Sequence, residues 1–276
     1  VSSSEQLNST FRRSVDEGYV RLTRTWPNLF VTGAVGGADL SLGGFGLFLV
    51  FGQTQNRLLA AAAFGIGFVA LTLASSELFT ENFLVPVTAV VARDATVAQL
   101  LRLWTTTLAA NVAAAWVMTG VIVTGFPELR HAAVAIGAHP AHAGAGLQTM
   151  ASTILAGATM TLMTWMERST ESVAAKIAVA LMIAFLLVGG QMDHSIVGTV
   201  EIFAALHVGA PFGYLDWLRF LGLSVAGNLV GGLALVTVLR LLQVGGAVIR
   251  SEQRRDPDQP RPEAADEPEV VASRAG

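Results

Sequence analysis

The sequence predicts an all-α membrane protein: six transmembrane helices in two inverted repeats of three, with the second and fifth helices broken. Three observations predict it. The 276-residue chain is 53% hydrophobic and only 13% charged, with a mean hydropathy of +0.57, which is the composition of a multi-span membrane protein. An apolar run from about Val173 to Val208 is interrupted midway by Gly189-Gly190-Gln191-Met192-Asp193-His194-Ser195, and a second, from about Ala60 to Val91, by Ser75-Ser76-Glu77-Leu78-Phe79-Thr80-Glu81-Asn82. Of the 17 Lys and Arg residues, only Arg57, Arg130 and Arg219 fall outside when both termini are placed on the cytoplasmic side.

Each element follows in order. Residues 1–26 form a polar N-terminal segment with no signal peptide pattern, and the start without Met is expected to reflect a trimmed or processed chain. Ser2 and Glu5 have capping-box spacing. Leu7, Phe11 and Val15 then share one face, so a short amphipathic helix either lies on the membrane surface or packs on its own protein. Pro27 ends it. Residues 27–249 hold the spans. Span 1, about Leu29–Phe51, is rich in glycine and can approach neighbours closely. Span 2 starts near Leu58, breaks around Glu77–Asn82 and resumes to Val91; span 3 covers about Val97–Thr124. A loop, Gly125–Ala143, carries His131, His139 and His142, which either bind a metal or titrate in solvent; no metal site is assigned. Span 4 is about Gly144–Met166, span 5 is broken at Asp193-His194, and span 6 is about Trp217–Val248. An odd number of spans per half inverts the second half, which makes spans 2 and 5 equivalent. Interrupted spans at corresponding places point to a transport site, and an ionisable pair in mid-membrane is a functional signal by default. Residues 250–276 turn to Asp, Glu, Pro, Gln and Arg and read as a disordered cytoplasmic tail. The absence of cysteine excludes disulfide and thiolate chemistry. No clustered nucleophile, nucleotide-binding glycine loop or cofactor motif is visible, so the chain does not read as an enzyme, and nothing points to nucleic acid.

Four motifs then carry a resemblance: Ser76-Glu77-Leu78-Phe79-Thr80, Ala110-Asn111-Val112, Asp193-His194-Ser195-Ile196 and Gly227-Asn228-Leu229-Val230-Gly231-Gly232. In this order, within a six-span pattern, they resemble the formate/nitrite transporter family over about Pro27–Val248. The resemblance implies an aquaporin-like protomer with its own pore, a homopentamer, and passage of small monovalent weak-acid anions with a proton through the inner membrane of a bacterium. By motif it implies pore roles for His194, Thr80 and Asn228, which joins their hydrogen-bond network. Leu78 and Phe79 match one apolar constriction; ungapped counting brings Phe64, Phe68 and Leu187 to the other.

The chain departs from the family at Ala141, where a vestibule lysine is common, and at Gly157 and Gly198, where asparagines are common. Extra carboxyls stand at Glu81 and Glu201. Residues 194, 198 and 201 share a helical face, so Gly198 is expected to leave space between His194 and Glu201. Glu81, Glu201 and Asp193 are candidate proton or charge modulators. Asp193 either caps the second half-helix or transfers protons, and Glu201 faces either the pore or a subunit contact. His194 and the phenylalanines each retain a core-packing reading beside the pore reading. Fluoride, another small anion or a neutral solute are the alternative cargoes.

Overall fold

The computed structural model describes residues 3–255, and every regular element among them is helical. Three apolar rods are long enough to cross a membrane: α2 (Trp26–Thr54), α5 (Val97–Gly125), and a third, Tyr214–Val244. At 29 residues each, α2 and α5 span about 43 Å at 1.5 Å per residue. Their ends are defined locally. Pro27 sits in the first turn of α2, where a missing N–H is tolerated, so it opens this helix rather than only closing the preceding one. Thr96 and Gln99 form a reciprocal capping box at the start of α5.

The two polar interruptions coincide with breaks in the helices. After α3 (Arg57–Leu73) the chain runs through Ser75, at φ 53°, to a 3₁₀ turn at Phe79–Phe83 and then α4 (Val85–Val91). After α8 (Val173–Gly189) it runs through Gln191, at φ 52°, to α9 (Ser195–His207). Each break is entered through a non-glycine residue in the left-handed region, which is uncommon and marks a fixed turn. Between them in sequence lie α6 (Arg130–Ala141) and α7 (Leu147–Arg168); the third rod comprises α10 (Tyr214–Val230), a π-helical segment (Gly231–Val238) and α11 (Leu239–Val244).

The helices assemble through pairs: α2 against α3 and α5, α3 against α8, α6 against α9, and α7 against α10. Close approach relies on glycine at two points in particular. A Cβ on Gly37 would run into the Asn111 backbone of α5, and one on Gly157 into the Asn228 backbone of α10. The outer surface remains apolar, with Leu101, Val121, Leu186 and Leu242 at least half exposed. Such a surface is unfavourable in water and suited to lipid.

Three expectations change, and the open alternative for the N-terminal helix is decided. Gly125–Ala143 is not a loop: a 3₁₀ turn (Pro127–Leu129) leads into α6. Its alanine-rich run favours helix, and Ala132, Ala133 and Ile136 are buried. The last span does not reach Val248, because Gly245 at φ 86° turns the chain into α12 (Gly246–Glu252). Helix α1 (Ser3–Thr23) packs on its own protein: Phe11 and Val15 are buried with Leu84, Ala92, Trp165 and Val244. Arg102 caps its last carbonyls, donating to Leu22 O (2.8 Å) and to Arg24 O just beyond (2.9 Å). Residue 250 is no boundary of order either, since Arg12–Glu252 (2.8 Å) and Arg255–Asp16 (2.9 Å) pin α12 and the residues just after it to α1. The Ser2 cap and residues 256–276 of the tail lie outside the described residues.

The glycine contacts give a direct test. Gly157→Val should force α7 away from α10 and lower stability by about 1–3 kcal/mol, the usual cost of overpacking. Gly144→Ala, where a Cβ meets nothing within 4 Å, should leave the melting temperature in detergent unchanged. Equal melting of both variants with the parent would contradict tight packing at Gly157.

Candidate functional site

A break inside a membrane exposes backbone groups that water cannot satisfy. Two asparagines satisfy them here with the same three bonds. Asn111 Oδ1 accepts from Phe79 N (2.9 Å), and its Nδ2 donates to Glu77 O (2.9 Å) and Gly33 O (2.6 Å). Asn228 Oδ1 accepts from Ser195 N (2.9 Å), and its Nδ2 donates to Asp193 O (3.1 Å) and Thr153 O (2.8 Å). Each asparagine thus brackets one break and ties it to a third helix. Both are fully buried.

The brackets bring Thr80 and His194 together. Thr80 Oγ1 lies 2.8 Å from His194 Nε2, and both residues are fully buried. His194 is also the N-cap of α9: its Nδ1 accepts from Val197 N at 3.2 Å. An acceptor at Nδ1 leaves the ring proton on Nε2, pointed at the Thr80 hydroxyl. The capping role considered for Asp193 therefore belongs to His194, the residue before the first helical position. Asn228 touches the backbone on both sides of His194 and not its ring.

Two cavities flank this pair, and α3 relates them. Near its start, Arg57 and Ala60 line a cavity of about 30 Å³ together with Leu187, Asp193, Glu201 and His139. At its other end, Leu71 and Thr72 line a polar cavity of about 210 Å³ with Arg21, Arg24, Glu81 and Arg168. The axial distance from Arg57 to Thr72 is about 22 Å. Between them, Phe64 and Phe68 meet edge to face at 5.6 Å and join Leu78 and Leu187 in one continuous buried apolar cluster. Phe79 packs edge to face on Phe83 at 5.0 Å.

The carboxyls separate accordingly. Glu81 belongs to the cavity on the α1 side, and Glu201 and Asp193 to the cavity on the α6 side. The expected space at Gly198 is filled by the Phe220 ring, which a Cβ there would overlap. Glu201 is thereby screened from His194 along their shared face, and coupling of Glu81 and Glu201 through that histidine does not fit this geometry. Ala141 is buried beside Ile202 and Phe220. His139 reaches the cavity, whereas His142 packs against Phe212.

Several site residues escaped sequence reasoning. Arg21 of α1 is buried; it donates to Asn82 Oδ1 (3.0 Å) and Glu17 (3.0 Å) and lies 3.7 Å from Glu77, which Arg24 also pairs. Glu167 accepts from Thr72 at 2.9 Å. Asp39 accepts from Ser76 at 2.6 Å. An ionisable residue inside the glycine-rich first span was a usable signal for Asp39; Arg21 and Glu167 lie too far along the chain from the break to be linked to it by spacing.

A family profile described as formate/nitrite transporter matches residues 8–242. Inner membrane protein YfdC of Escherichia coli (strain K12) is 28% identical over 218 residues, covering 75% of this chain and 68% of that protein. The formate channel BtFdhC of Bacillus thuringiensis is 25% identical over 237 residues, covering 80% and 89%. Among solved structures, a pentameric formate channel with formate bound aligns at TM-score 0.66 and 20% identity, covering 79% of this chain and 97% of that one. An ion channel of the same family aligns at TM-score 0.72 and 18% identity, covering 85% and 96%. At those identities the structural likeness is one of fold.

The α1 contacts have a pH signature. Arg21 holds the Glu17 carboxyl well below its ordinary 4.5, at about 2; burial opposes this, and Arg168 adds to it. A depressed folded value stabilises above the unfolded one and is lost as pH falls. Protection of α1 amides against hydrogen exchange should therefore be constant from pH 7 to 5 and fall between about 4.5 and 2. Glu17→Gln should lower it at neutral pH. Unchanged protection in that variant at pH 7 would contradict the linkage.

Proposed function

We infer the function of this chain from one premise: it belongs to the formate/nitrite transporter family. The family is one of transporters and channels, so the chain is a membrane transport protein rather than an enzyme. The cargo is a small monovalent weak-acid anion, such as formate or nitrite, moved together with a proton past His194. Formate is named for the Bacillus thuringiensis relative and in a structural neighbour; its extension to this chain is part of the proposal. So are the inner membrane of a bacterium and a homopentamer with one pore per subunit, supported by the names of the Escherichia coli relative and of the pentameric neighbour.

The observation that carries the reading is the Thr80–His194 contact between two cavities. The matching asparagine brackets support six spans in two inverted repeats, with α3–α4 and α8–α9 as equivalent broken spans. The transport unit proposed from that arrangement begins at residue 27 and ends with α11 at Val244, since α12 packs on α1. Positive charge gathered on the α1 side supports cytoplasmic termini. A bare anion is strongly disfavoured between Phe64, Phe68, Leu78 and Leu187, whereas its neutral acid is not. His194 presents its Nε2–H as a hydrogen-bond donor at that point, with the positive end of the α9 dipole beside it, while the proton travels on the neutral acid. Thr80 orients the ring; Asn228 fixes the backbone that carries it.

Proteoliposome flux of formate, nitrite, fluoride and a neutral solute, each with and without a pH gradient, tests this. Weak-acid anions should be carried faster down a proton gradient, and the neutral solute should ignore it. His194→Asn should keep the fold, because Asn is also a strong N-cap, and should flatten the pH dependence. Thr80→Val should slow flux by up to about tenfold, the equivalent of one hydrogen bond, with the pH response kept. An unchanged pH profile in His194→Asn would make the histidine structural.

A further inference from the structure

The first span carries a charge that the pore does not use. Asp39 is the one charged residue of α2 and lies about 20 Å from its Trp26 end, midway along the helix. It is buried, lines neither cavity, and forms no ion pair within 4.0 Å among the described residues. Its Oδ2 accepts from Ser76 Oγ at 2.6 Å, the length of a bond to a charged acceptor. A carboxyl at that depth is unfavourable in itself and calls for a role.

Ser76 belongs to the entry of the first break, between Ser75 at φ 53° and Glu77. Three residues on one face of α2 cradle this entry. Thr32 O accepts from Glu77 N (3.2 Å), Gly36 leaves room for the Glu77 carbonyl, and Asp39 takes the Ser76 hydroxyl. Leu78, Phe79 and Thr80 follow directly in the chain, so the cradle sets where Thr80 meets His194.

The second break has the same cradle without the charge. The asparagine bonds pair Gly33 with Thr153 and Glu77 with Asp193. At the same spacing from these, Asp39 corresponds to Thr159 and Ser76 to Met192. The contact there is a hydroxyl 3.8 Å from a thioether sulfur, which is a weak acceptor. Ser152 Oγ holds Asp193 N (2.9 Å) where Thr32 O holds Glu77 N. One break is pinned by a strong bond, and its counterpart rests on a soft contact.

We propose that Asp39 is a positioning residue for transport: through Ser76 it locks the turn that sets Leu78, Phe79 and Thr80 against His194. It touches no cargo. Without it, the left-handed turn at Ser75 loses the side-chain bond beside it, and the Thr80 hydroxyl loses its register with Nε2. This rests on the reading that the cargo passes the Thr80–His194 pair.

The test uses the full chain in proteoliposomes with formate as probe. Asp39→Ala should lower the maximal rate about tenfold, the scale of one lost hydrogen bond, with KM retained. Asp39→Asn, which still offers an oxygen to Ser76, should recover most of it. Thr80→Val should slow the parent but add nothing in the Asp39→Ala background, because the bond it removes is already broken. Thr159→Val, at the corresponding place in the second half, should keep the parent's rate. Where Asp39→Ala fails to fold, Ser76→Ala breaks the same bond from its other end and takes its place beside Thr80→Val. The parent's rate in Asp39→Ala, no recovery in Asp39→Asn, an equal loss in Thr159→Val, or multiplying effects with Thr80→Val would each overturn the positioning role and leave the transport reading intact. If the parent carries no formate, nitrite or fluoride, the transport reading falls, and hydrogen exchange decides the pin alone. Asp39→Ala should then lose amide protection at residues 76–80 and not in α9; unchanged protection there overturns it.

Discussion

Broken helices within hydrocarbon are tolerable only if their freed backbone groups find partners, and here two side chains supply them. Asn111 and Asn228 each take one N–H and two carbonyls. An amide is suited to this because it offers an acceptor and two donors in one plane. Unmet, each buried group would cost about 1–3 kcal/mol. The glycines follow from the same need. Gly36 and Gly37 let α2 approach Asn111, and Gly157 lets α7 approach Asn228. A family asparagine at position 157 could not fit against this backbone, so the glycine is a packing requirement and not a lost polar contact.

His194 is constrained at both ring nitrogens. One holds the first turn of α9 and the other meets Thr80. The ring cannot flip without losing both bonds, so its hydrogen-bond polarity is set by the backbone of the half-helix it caps. The polar groups on either side are segregated by the phenylalanine and leucine layer, with Arg21, Glu81 and Glu167 in one chamber and Arg57, Asp193 and Glu201 in the other. Among the described residues no ion pair joins the two chambers.

The breaks were legible in the sequence because polar residues and paired glycines interrupt otherwise apolar runs, and few membrane structures tolerate that. Thr80 and His194 were legible for the same reason. The partners were not. Nothing local links Arg21 to Asn82 or Asn111 to Phe79, since helix packing brings these residues together across long stretches of chain. Helix α6 was hidden by composition: its histidines and its proline gave the stretch a loop-like polarity, while its alanines carried the helical preference. Asp193 and His194 are adjacent and both polar, so composition could not say which would cap α9. The Phe220 ring that fills the space over Gly198 is likewise invisible to a helical-face argument, because a face says where a side chain points and not which group already occupies that space.

The π-helical segment Gly231–Val238 sets the phase of α11, up to the turn at Gly245. There Thr237 donates to Phe83 O at 2.7 Å, and Gly232 packs against the Phe83 ring. A wide turn takes in more residues per revolution than an α-turn, and each residue of an α-helix corresponds to about 100° of rotation. The widened stretch therefore acts as a phase shifter between two gears. Upstream, it leaves Asn228 aimed at the break in α8–α9; downstream, it rotates α11 so that Leu241 and Val244 pack against Phe11 and Val15 of α1. Drawn into a regular α-helix, the same residues could keep one of these engagements but not both.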